Sequence, residues 1–111
     1  MTDPDYARLL TKISCIAKVY GYAIGLHGSG TRDLDLLAVP WTEEAASADK
    51  LVLTICVECE LFNPPDNPRI RPHGRLGWAL HLSRQDRRYV DLSVMPLLPA
   101  PPIAAAPKDE T

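Results

Sequence analysis

Apolar positions recur at three- and four-residue spacing from Tyr6 through Leu9, Leu10, Ile13, Ile16 and Ala17 to Tyr20. That spacing predicts a first helix with one apolar stripe. Asp3 suits its N-cap, Pro4 its first turn and Gly21 its stop. Tyr22 to His27 is a short apolar run and reads as a strand. Gly28-Ser29-Gly30-Thr31-Arg32 is a turn that carries donors and little bulk, and Asp33 to Pro40 reads as a second strand. Thr42 and Ser47 are candidate caps for a second helix that ends near Leu61. Its buried face is predicted from Leu51, Val52, Ile55, Cys56, Cys59 and Phe62. Pro64, Pro65, Pro68 and Pro72 make 63–72 a loop. Arg75 to Ser83 and Arg88 to Met95 read as a hairpin. From Pro96 onward five prolines and a run of alanines predict a flexible tail, so the expected domain is 1–95 and the tail 96–111.

The order helix, strand, strand, helix, strand, strand predicts an α+β fold: a mixed four-stranded sheet with two helices on one face. Alternation along the last two strands puts Leu76, Trp78, Leu80 and Leu82 on one face with Val90, Leu92 and Val94. Gly77, Ala79 and His81 then share the other face with Asp91 and Ser93. Both faces match across the hairpin only if its connection has an odd number of residues. Trp41 and Trp78 are expected in the core.

Composition narrows the class. A chain of 111 residues with 46% apolar and 23% charged residues is sized for one globular domain. It has no apolar run long enough to span a membrane and no secretory pattern at its start, so a cytoplasmic protein without membrane partners is expected. The net charge of −2 hides segregation. Trp41 to Asp66 carries six acids and one base, whereas Arg69 to Arg88 carries six arginines and one acid. Arginine forks suit phosphate oxygens, although a solvated hairpin would read the same way. Cys15, Cys56 and Cys59 are odd in number. The pair Cys56 and Cys59 falls late in a helix beside Glu58 and Glu60, which favours neutral thiols packed as small apolar groups over redox or zinc chemistry.

Asp33 and Asp35 stand two apart on a strand and project from one face. Asp91 is predicted to join them on the uncovered face, where Gly25, Gly77 and Ala79 leave room for a ligand. Two carboxylates ~6 Å apart repel by roughly 3 kcal/mol at an effective dielectric of ~20. Such a group is either well solvated or holds a cation, and all-oxygen ligands suit Mg²⁺. His27 and His81 are each read either as a contact to a ligand phosphate or as a hydrogen-bonded structural residue.

Gly28-Ser29, then Asp33-Leu34-Asp35-Leu36-Leu37, then Val90-Asp91-Leu92 resembles the signature of the DNA polymerase β-like nucleotidyltransferase superfamily. The string HGSGTRDLDLLAVPW also resembles short proteins of phage and prophage origin with a minimal version of that core. The resemblance runs from Tyr6 to Met95 and implies a minimal nucleotidyltransferase-like fold. It implies that Asp33, Asp35 and Asp91 are the catalytic acids and hold two Mg²⁺ ions, with Mn²⁺ as an alternative. It further implies that Gly28 and Ser29 bind the terminal phosphates of an NTP; Arg32 is our own addition to that phosphate site. The chain departs from the family in having only Gly30, Thr31 and Arg32 between Gly-Ser and the first Asp, and no length for an additional helical domain.

The leading expectation is therefore a metal-dependent nucleotidyltransferase that transfers a nucleotidyl group from NTP to an unidentified acceptor (protein, nucleic acid or small molecule), with a homodimer or a protein partner completing it. The alternatives are a catalytically inactive module of the same fold, antitoxin-like or a phage accessory protein, and nucleic-acid binding through the arginines at Arg69, Arg71 and Arg75.

Overall fold

A computed structural model describes residues 3–97. The sequence folds as an α+β domain of two helices and a five-stranded mixed sheet. Helix α1 spans Pro4–Val19 and helix α2 Ala48–Cys59. The strands are β1 (Tyr22–His27), β2 (Leu34–Pro40), β3 (Arg69–Ile70), β4 (Leu76–His81) and β5 (Tyr89–Val94), in the spatial order β1-β2-β5-β4-β3. Neighbours pair antiparallel except β2 and β5, which run parallel at the centre.

Local chemistry sets the ends of the elements. The Asp3 carboxylate accepts from the Asp5 N–H at 2.8 Å and caps α1, with Pro4 in its first turn. The Ser47 hydroxyl accepts from the Lys50 N–H and caps α2. Glu60 adopts a left-handed conformation that caps α2 after Cys59, two residues before the expected Leu61. Phe62 is consequently not on the helix; it bridges to His81 on β4 and lies under the Arg84 guanidinium.

Two further expectations are corrected. The sheet has five strands rather than four, because Arg69 and Ile70 inside the proline-rich segment pair with Gly77 and Leu76. Trp41 is 59% exposed, since it lies just beyond the end of β2 and outside the alternation that buries the strand residues. Trp78 is buried as expected. The tail falls almost wholly outside the described residues, which end at Leu97. None of the described helices is long and apolar enough to cross a membrane.

One cluster forms the core. Tyr6, Ile13 and Ala17 from α1 and Leu51, Val52 and Ile55 from α2 pack on Leu34, Leu36, Ala38, Trp78, Leu80, Val90, Leu92 and Val94 of the sheet. Each fully buried large aliphatic side chain contributes roughly 1.5–3 kcal/mol. The helices thus cover one face of the sheet, and the alternate residues Asp35, Asp91, Ala79 and His81 are left on the other, less buried face. In the β4–β5 hairpin Leu80 opposes Val90 and Ala79 opposes Asp91, so the connection is odd and the faces match.

Candidate functional site

Parallel pairing of β2 with β5 sets Asp35 directly abreast of Asp91. These two strands are neighbours in the sheet although α2, β3 and β4 lie between them in sequence. Asp33 lies one residue before β2, at the end of the turn rather than within the strand. Near it is Tyr89, whose phenol is pushed up first by burial and then by the charges of Asp33 and Asp91, and so stays protonated. The carboxyl of Asp35 is pushed above the usual range by burial first, then by Asp91 and by Asp33; His27 and Arg71 offset part of this. His27 faces Asp35 across the β1–β2 ladder, and the His81 ring lies 5.6 Å from that of Tyr89.

The turn before Asp33 is built on left-handed backbone at Gly28 (φ 72°) and Gly30 (φ 69°), a conformation that glycine adopts without strain. A Cβ at Gly28 would meet nothing within 4 Å, so the backbone there is open to a ligand. Ser29 and Thr31 share a hydroxyl–hydroxyl bond of 2.8 Å. Gly28, Ser29, Arg32, Asp33 and Asp35 line one hollow of about 210 Å³ together with His27. The turn is fixed from behind: the Asp3 N–H donates to the Gly30 carbonyl and the Tyr6 hydroxyl to the Arg32 carbonyl at 2.8 Å. The same Tyr6 oxygen accepts from the Tyr89 N–H, so one buried phenol ties α1 to both the turn and β5.

A second hollow of about 140 Å³ shares His27 and Asp35 with the first and adds Arg71, Arg75, Asp91 and Ser93. A third, about 160 Å³, continues from Arg71 and Asp91 to Arg69, Asn67, His81 and Tyr89. The three make a polar groove along the uncovered face. A larger concavity, about 510 Å³, is elsewhere; it is lined by Asp5, Arg8, Lys12, Cys59, Asp86 and Arg88 among others and touches none of the three acids.

The expected room above Gly77 and Ala79 is partly taken. A Cβ at Gly77 would lie 2.9 Å from Cζ of Arg71, whose side chain crosses the glycine and donates to Asp91 Oδ1 at 3.0 Å. Ala79 exchanges its backbone N–H and C=O with the side chain of Asn67. Two partners therefore lay beyond the sequence reading of this site: Arg71 on Asp91 and Tyr6 behind the turn.

The donor set fits a hard divalent ion in kind: three carboxylates, two of them in register on the central strands. Their side chains are not drawn together, however, and among the described residues no three His, Cys, Asp or Glu groups are gathered in metal-binding geometry. Asp91 is turned to Arg71 instead. Cys56 and Cys59 are inert in comparison. Burial, with a smaller push from Cys59, lifts the Cys56 thiol to about 11, and Cys59 is raised by burial too; both pack against the core while Cys15 is exposed.

Comparison with protein-family models, with curated proteins and with solved structures gives no match.

Proposed function

We propose that this chain is a minimal nucleotidyltransferase-fold protein that binds a nucleoside triphosphate with divalent magnesium and transfers a nucleotidyl group to an acceptor. One observation carries the reading: Asp35 and Asp91 stand abreast on the two central strands, with Asp33 and the Gly28–Arg32 turn lining the hollow that Asp35 shares. Asp33 and Asp35 would hold both ions and Asp91 one of them. When bound, the ions supply charge neutralisation at the leaving pyrophosphate and acidify the attacking hydroxyl. Gly28 offers a backbone N–H, Ser29 a hydroxyl and Arg32 a cation to the phosphate oxygens. Tyr6 keeps the turn in place.

Titration calorimetry with NTP, with and without Mg²⁺ or Mn²⁺, tests the reading. Metal-dependent heat in the wild type that vanishes in Asp35→Ala is the expected result. No metal-dependent nucleotide binding, or equal binding by the variant, rejects it.

A second reading is favoured by the Arg71–Asp91 pair, which neutralises one acid without any ion. A non-catalytic module of the same fold would show no turnover and would form an obligate dimer or partner complex, visible by light scattering.

A further inference from the structure

We propose that Arg71 is the resting counter-cation of the acid cluster, which a divalent ion must displace from Asp91 in order to bind. This inference rests on the metal-binding reading above. The guanidinium donates to Asp91 Oδ1 at 3.0 Å, and the pair is largely shielded, with side-chain exposures of 32% and 17%. A carboxylate oxygen engaged by a guanidinium is not available to a metal, and the positive charge also repels the incoming ion. The crossing is built into the sheet, since Gly77 has no side chain where the guanidinium passes.

The segment that carries Arg71 is suited to release it. β3 is only two residues long, lies at the sheet edge and has Ile70 88% exposed. Beyond it, the Arg71 N–H bonds the Arg75 carbonyl across a short 3₁₀ turn, Pro72–Gly74. Swinging the side chain off Asp91 breaks one ion pair and disturbs no core residue. The freed guanidinium stays in the groove beside Arg75, where a ligand phosphate is its natural new partner. Ion and phosphate ligand therefore favour each other's binding through Arg71, and the coupling is reciprocal.

The experiment is a Mn²⁺ titration without nucleotide, followed by the loss of the free Mn²⁺ resonance signal. It compares wild type, Arg71→Gln, Asp91→Asn and the double variant, each checked for folding by circular dichroism. Arg71→Gln is expected to bind Mn²⁺ roughly tenfold more tightly, equivalent to ~1.4 kcal/mol. In the Asp91→Asn background the same change should have no effect, which assigns the gain to that carboxylate. Gly77→Ala, which crowds Arg71 off its path without removing its charge, should tighten binding in the same direction. Binding by Arg71→Gln where wild type is silent also supports the proposal. Equal or weaker binding by both Arg71→Gln and Gly77→Ala overturns it and leaves the metal site standing. No Mn²⁺ bound by any of the proteins removes both.

Discussion

Arg88 and Arg71 both meet aspartates, three around the first and one beside the second. Arg88 is encircled: it donates to Asp86 and Asp5 at 2.8 Å and to Asp3 at 3.1 Å. Its charge is held firmly, and its hydrogen bonds draw the carboxyls of Asp5 and Asp86 below their usual range. These contacts fasten the start of α1 to the approach of β5, beside the bonds from Asp3 and Tyr6 to the turn. Arg71 makes one ion pair, to Asp91, in a groove that Arg32, Arg69 and Arg75 also line. The carboxyl of Asp35 beside it is raised, by burial first and then by Asp91 and Asp33. In one cluster every aspartate is bonded to the same guanidinium, and the cluster serves as a fastener. In the other, Arg32, Arg69 and Arg75 line the same groove, yet among the described residues only Asp91 of the three acids is held in an ion pair.

The comparison can be broken most severely at Asp35. Asp35→Ala should abolish metal-dependent nucleotide heat in calorimetry, whereas Asp86→Asn, on the fastener, should leave it intact. Next in size is Tyr6→Phe, which strips the phenol shared by the Arg32 carbonyl and the Tyr89 N–H. Leaving those groups unpaired should cost roughly 1–3 kcal/mol in denaturant unfolding.

The pH dependence of the two clusters should run in opposite directions. Asp35 has its folded-state pKa raised, so between the ordinary carboxylate value and the raised one the folded protein holds a proton that the unfolded chain has lost. Stability falls as pH rises through that window. In metal-free buffer Asp35→Asn should therefore melt above wild type at pH 7, and the gap should close in acid below about pH 4. Asp86 has its folded-state pKa lowered, so its contribution is present above the ordinary value and lost as pH falls through the lowered one. Asp86→Asn should melt slightly below wild type at pH 7. That smallest effect should shrink further in high salt, because these groups lie in water.

Much of the frame was legible in the sequence. Asp3, Pro4 and the stripe from Tyr6 to Tyr20 specify α1, and strict alternation in 76–82 and 90–94 specifies which face the helices cover. The same alternation set Asp91 on the face of Asp35. β3 was not legible, because two exposed residues among prolines carry no periodic pattern and gain their ladder only from β4. Trp41 misled because hydrophobicity alone does not say whether a residue lies inside the alternation or just past its end. Tyr6 read as one more core position; its hydroxyl has partners on the turn and on β5 that no local pattern reveals. The Arg71–Asp91 pair escaped for the same reason, since a loop side chain reaches it across a register that only the folded sheet defines.

Parallel pairing of β2 with β5 also has a kinetic side. Antiparallel neighbours such as β1 and β2 zip from a short connection, but the β2–β5 ladder closes only after α2, β3 and β4 have been accommodated between them. Closing that long loop is the slow, entropically costly event in such a topology. During synthesis the two halves of the acid pair remain apart until the last strand emerges. A nascent or truncated chain lacking that strand would carry Asp33 and Asp35 without Asp91 beside them.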